Sequence, residues 1–148
     1  MKVKVTINAR KESVEISVGN GDWQAFSETL KLHTEQTFYK SIELEIKNED
    51  LSHVAEEVRK YVLSESSVEL YRFFTSTFAT LLEPGQAVEL EALSFLGVQC
   101  PYCGIHSARY IVKLPHVFGE KTTMYCGRCF KIASQILAKS EQRKEVLV

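Results

Sequence analysis

The sequence has no run approaching eighteen apolar residues, so no segment reads as a membrane-spanning helix. Its 148 residues include only three prolines and seven glycines, too few for a collagen-like chain or a low-complexity linker. The segment Met1-Lys-Val-Lys-Val-Thr-Ile7 alternates charged and apolar residues and lacks the apolar block of a signal peptide. There is no Gly-rich phosphate loop, no paired-carboxylate motif and no serine nucleophile motif. There is no internal repeat. The formal net charge is only −1, which taken alone points to no nucleic-acid partner. These absences lead to the expectation of a soluble cytoplasmic protein without a membrane partner.

What is present is an ordinary globular composition, 45% hydrophobic and 25% charged, in a chain long enough to fold without disulfides. Val3, Val5 and Ile7 alternate, as do Val14, Ile16 and Val18, and again Ile42, Leu44 and Ile46. Period-two patterns predict half-buried strands. Gly19-Asn-Gly-Asp22 reads as a turn in which Asp22 caps a helix carrying Trp23, Phe26, Leu30 and His33 on one stripe. Asn48-Glu-Asp50 opens a further helix with Leu51, Val54, Ala55, Val58, Tyr61 and Val62 at helical spacing, the strongest amphipathic signal in the chain. Ser64 to Ser67 interrupts it. A helix with Val68, Tyr71, Phe74, Phe78 and Leu82 on one face follows, and Glu83-Pro-Gly85 stops it. Residues 86–96 fit a short helix better than a strand. The order predicts an α+β fold, a small antiparallel sheet with helices. Residues 1–97 form that domain, and residues 98–148 form a second module with a different composition.

The second module holds all four cysteines, as Cys100-Pro-Tyr-Cys103 and, 22 residues later, Cys126-Gly-Arg-Cys129. Two C-x-x-C pairs at such a spacing are a metal-site pattern. Zinc is the expected ion, with iron as runner-up because the same sulfur geometry suits it. Between the pairs, Ala108, Tyr110, Val112 and Leu114 alternate with Arg109, Ile111 and Lys113 as a strand, and Lys121 to Tyr125 returns. The second pair opens a helix whose Phe130, Ala133, Ile136 and Leu137 share a face with Cys129. Knuckle, hairpin and a cysteine pair at a helix start resemble the treble-clef zinc finger over residues 98–143, with the zinc ribbon as the alternative class. The resemblance implies that Cys100, Cys103, Cys126 and Cys129 ligate one structural Zn2+ per chain. Four protein ligands close the coordination shell, whereas a catalytic zinc keeps a place for water.

Other readings of the same residues are weaker. A redox C-x-x-C would leave the second pair unexplained. His33-Thr-Glu35 lacks the proline directly before the first cysteine that zinc deaminases show. No Asn or Asp follows Asp50, which excludes the residue set of HNH-type nucleases. The four histidines read as solvated or packed side chains.

Charge divides at the same boundary as composition. Residues 1–99 carry ten Lys and Arg against sixteen Asp and Glu, a net −6. Residues 100–148 carry eight against three, a net +5. The −1 of the whole chain is thus a cancellation. A basic, aromatic-rich finger suits phosphate contacts, so Arg109, Lys113, Arg128, Lys131, Lys139 and Arg143 are the candidate contacts to DNA or RNA. The expectation is a non-enzymatic regulatory or adaptor protein whose finger contacts nucleic acid. The alternative is a protein–protein adaptor or inhibitor with a purely structural finger.

Overall fold

Strands β1 (Lys2–Arg10) and β2 (Ser13–Asn20) follow from the two alternations, which bury Val3, Val5, Ile7 and Ala9 on one and Val14, Ile16 and Val18 on the other. In the computed structural model, which describes residues 2–32, 37–47, 50–115 and 121–136, they pair antiparallel with Val5 opposite Val18 and Ile7 opposite Ile16. Strand β4 (Phe38–Glu45) pairs antiparallel with the other side of β1, Ile42 facing Val5.

Residues 23–30 depart from the sequence expectation. They form strand β3 (Trp23–Leu30), not a helix, and pair antiparallel with β2, Phe26 opposite Val18 and Leu30 opposite Val14. The turn between them is a hairpin, in which the Asp22 N–H donates to Asn20 Oδ1 at 3.0 Å. Asp22 therefore caps no helix. Gly19 is required here, because a Cβ on it would stand 2.4 Å from the Trp23 carbonyl oxygen. Cross-strand pairing outweighs the helical spacing of Trp23, Phe26 and Leu30. His33, the fourth residue of that stripe, lies outside the described residues. The sheet order is β3-β2-β1-β4.

Helix α1 (Leu51–Tyr61) begins directly after Asp50, which is its cap rather than part of its first turn. The Asp50 carboxylate accepts from the Ser52 N–H at 3.0 Å, capping the first turn. Asn48 and Glu49 lie outside the described residues. Val54, Ala55 and Val58 are its buried face. The serine-rich interruption is a wide π-helical turn, Val62–Ser66, rather than a break, and the chain runs on as helix α2 (Ser67–Leu81). Leu70, Phe73, Phe74 and Phe78 of α2 are buried and join the core.

Residues 86–96 divide between two elements. Ala87–Glu89 form strand β5, and Glu91–Leu96 form helix α3. The Glu28 carboxylate on β3 accepts from the Ala92 N–H at 3.1 Å, tying α3 to the large sheet. Burial there raises the Glu28 pKa, in opposition to that hydrogen bond. Gly97 ends α3 in the left-handed region at φ 73°, and a Cβ there would stand 2.5 Å from Arg59 Cγ. Strands β6 (Tyr110–Lys113) and β7 (Thr122–Tyr125) form a hairpin, and β5 pairs antiparallel with β6, giving a three-stranded sheet β5-β6-β7. Residues 127–136 are helical and are called α4. The architecture is α+β, with antiparallel sheets and helices. Among the described residues no helix is long and apolar enough to cross a membrane.

Candidate metal centre

The cysteine pairs come from two turns at one end of the β6–β7 hairpin, where Tyr110 pairs with Tyr125. Val98 and Ala108 bring the ends of the first turn together, the Ala108 N–H donating to the Val98 carbonyl at 2.6 Å. Within that turn the Cys100 N–H donates to the His106 carbonyl and the Gly104 N–H to the Cys100 carbonyl, both at 3.0 Å. Gly104 takes φ 65°, a conformation glycine adopts without penalty. Gln99 secures the turn from outside, its Nε2 donating to the Gly104 carbonyl at 2.6 Å.

The second pair follows β7 directly. Cys126 comes just after the last strand residue, Tyr125, and Cys129 lies in the first turn of α4, where its N–H donates to Cys126 Sγ at 3.4 Å. Such N–H···S contacts stabilise thiolate charge. Two ring stacks hold the parts in place. Tyr102 of the knuckle stacks on Tyr125 of β7 at 4.6 Å between centroids. Tyr110 of β6 stacks on Phe130 of α4 at 4.0 Å.

One sulfur from each of Cys100, Cys103, Cys126 and Cys129 lies within 4.8 Å of all the others. Cys103 Sγ and Cys126 Sγ are 3.8 Å apart. Two sulfurs on a tetrahedral zinc, each at about 2.3 Å, stand about 3.8 Å apart. A disulfide would need about 2.05 Å, and all four cysteines are free. Cys100 and Cys126 are buried, while Cys103 and Cys129 are half-exposed. The arrangement can hold a metal ion, and its soft sulfur donors suit zinc or iron.

The thiols are not equivalent. The N–H groups of His106 and Ile105 point at Cys103 and lower its pKa to about 6. Burial, with the hydrogen-bonding sulfurs of Cys126 and Cys100 beside it, pushes Cys129 up to about 12. Tyr125 is also raised, by burial and by its neighbour Tyr102. A dication among the sulfurs would reverse the logic at Cys129, since it favours the thiolate it binds.

Of the six candidate nucleic-acid contacts, Arg109 and Lys113 are engaged within the molecule. Arg109 turns back to Glu89 of β5, with Nε 2.6 Å from Oε1, and that carboxylate raises the Arg109 pKa. Lys113 donates its Nζ to the Ala79 carbonyl of α2 at 2.8 Å. Arg128 and Lys131 are exposed on α4. Lys139 and Arg143 lie outside the described residues. On α4, Cys129, Phe130 and Ala133 are half-buried as expected, but Ile136 is 53% exposed, and so is Ile132 at 51%. Leu137 lies outside the described residues. The two ring stacks are not foreseen from the sequence, although Tyr102 beside Cys103 and Phe130 beside Cys129 are the signal that aromatics flank the sulfurs.

Comparison with family models, with curated proteins and with solved structures finds no match for this chain.

Proposed function

We propose that the four thiolates hold one zinc ion as a structural centre in a treble-clef-like finger, and that the chain is a non-enzymatic adaptor working through α4. The observation that carries the metal reading is the convergence of four sulfurs within 4.8 Å, drawn from two turns far apart in sequence. All four positions of a tetrahedral ion would be filled by protein, which leaves none for substrate or water. When bound, the ion supplies cross-linking and charge neutralisation between the knuckle and α4. The order knuckle, β6–β7 hairpin and helix supports the treble-clef reading over the zinc ribbon, because Cys129 opens a helix.

Two observations on α4 support a protein partner. Ile132 and Ile136 are exposed one turn apart, and Arg128 continues the same stripe. Alternating apolar and basic groups match a partner with acidic and apolar side chains. The nucleic-acid reading rests on Arg128 and Lys131, since Arg109 and Lys113 are engaged within the molecule.

Elemental analysis of the purified protein tests the metal. One zinc per chain is expected, and a ratio far below one with all four thiols titratable would sink the reading. For the partner, binding to DNA and RNA is measured across a salt series with Lys131→Glu as control. Salt-sensitive binding lost in that variant would favour nucleic acid. A protein captured from cells by the parent chain and lost with Ile132→Glu is the expected result for the adaptor.

A further inference from the structure

The two edges of the four-stranded sheet are built differently. At the β3 edge the register with β2 shifts between Val18 and Gly19, a bulge of the kind that protects an edge from pairing. The β4 edge has no such feature. Its register with β1 runs unbroken from Lys2 opposite Glu45 to Ala9 opposite Phe38, and it contains no proline. Among the described residues β4 pairs with no strand but β1. Lys40 points inward, a charge that would guard an edge, but the Glu69 carboxylate on α2 pairs with it and neutralises it.

Exposed apolar side chains collect beside this edge. Tyr39 on β4 is 63% exposed, and Leu63 and Val68 at the wide helical turn are 55% and 65% exposed. Leu63 and Val68 line a groove of about 610 Å3 whose wall includes the stacked rings of Phe38 and Phe73. Exposed apolar groups gathered beside a sheet edge mark an interface.

We infer that β4 pairs antiparallel with β4 of a second copy of this chain, joining two four-stranded sheets into one of eight strands. Two registers of the strand with itself keep like charges from facing each other. With the two-fold axis at Ser41, Phe38 lies opposite the partner's Leu44 and Tyr39 opposite the partner's Glu43. With the axis at Ile42, Lys40 lies opposite the partner's Leu44 and Ser41 opposite the partner's Glu43. Neither register sets like charges face to face, whereas an axis at Lys40 or Glu43 pairs each with itself. Centred on Ser41, the partner's Leu44 arrives beside Phe38, at the mouth of the groove. This dimer rests on the sheet edge and not on the finger, so it stands or falls independently of the metal.

The test uses the full zinc-loaded chain. Sedimentation equilibrium over a hundredfold concentration range up to ~200 µM is expected to give twice the 16.8 kDa of one chain. Facing residues of an antiparallel pair stand about 5 Å apart at Cα, within reach of a disulfide. Ser41 is exposed, so Ser41→Cys places a thiol on the edge without disturbing the core. Mild oxidation is expected to cross-link it to itself if the axis lies at Ser41, or to Glu43→Cys in a mixture if it lies at Ile42. Either outcome should exceed the yield from Thr29→Cys on the β3 edge at least tenfold, with the parent chain as blank. A single-chain mass throughout overturns the inference. So does a dimer that neither β4 cysteine cross-links above the Thr29→Cys level.

Discussion

Strands β1 and β2 run nine and eight residues and bury seven apolar side chains between them, which belong to one core with Leu70, Phe74 and Phe78 of α2. The cysteine finger has strands of four residues, and its knuckle leaves Ile105 81% and Tyr102 52% exposed. The first region is held by area removed from water, distributed over many side chains. The second shares that core through Val98, Ala108, Ile111 and Met124, and adds to it four sulfur atoms and two ring stacks. One consequence is a difference in fragility. A distributed core loses a fraction of its stability with each side chain, whereas a centre of four donors fails as a unit.

The sharpest way to break this contrast is to remove the metal. Chelation, or Cys126→Ser, is expected to forfeit on the order of 10 kcal/mol of binding free energy. Hydrogen exchange should then show β6, β7 and α4 opening while β1 to β4 stay protected. Equal loss of protection in both regions would show that the sheet depends on the finger. A core change should act the other way. Phe74 is 1% exposed, and Phe74→Ala is expected to cost about 3–5 kcal/mol in denaturant unfolding with zinc still bound. Gly97 ends α3 just before the first cysteine turn. Gly97→Ala forces a left-handed Ala and a clash with Arg59, so a loss of about 1–2 kcal/mol or more is expected, read in the same unfolding assay.

The smallest effect concerns protons. In metal-free protein Cys103 is a thiolate down to about pH 6, because the fold favours its charged form. Its contribution to stability is therefore complete above the ordinary thiol value and is lost as pH falls through about 6. Cys129, raised to about 12, stays protonated at neutral pH. Alkylation of metal-free protein at about pH 7.5 should modify Cys103 first, and its rate should drop toward pH 6. Faster labelling of Cys129 would contradict the assignment.

Much of the fold and of the metal centre is legible in the sequence. The strands around Val3, Val14 and Ile42, the helix after Asp50 and the convergence of the cysteines all follow from local spacing. Residues 23–30 are not legible in this way, because Trp23, Phe26 and Leu30 fall on a helical stripe by coincidence. What makes them a strand is β2, a neighbour outside the segment, together with Gly19, which leaves room for the Trp23 carbonyl. The Asn-Gly pair at 20–21 carries the hairpin signal, and a cap at Asp22 competes with it as a reading of the same turn. Residues 86–96 mislead for a related reason. Ala87–Glu89 become a strand only because β6 offers an edge, and the first half of the segment has no strong alternation of its own. Charge is legible as a sum but not as a surface. Arg109 and Lys113 count toward the basic finger, yet Glu89 and the Ala79 carbonyl engage them.

The wide turn between Val62 and Ser66 has a consequence for how this chain tolerates change in length. An α-helix advances about 100° per residue. A π-helical turn accommodates one residue more than an α turn would. Val54 and Val58 before it, Val62 at its start, and Leu70, Phe74 and Phe78 after it fall on a four-residue spacing, a step that an unbroken α-helix would carry off the core face. The extra residue brings the two stripes back onto one side. Chain length at this point sets angle rather than reach, so loss of a single residue would let the helix close up and swing all of α2 around its axis.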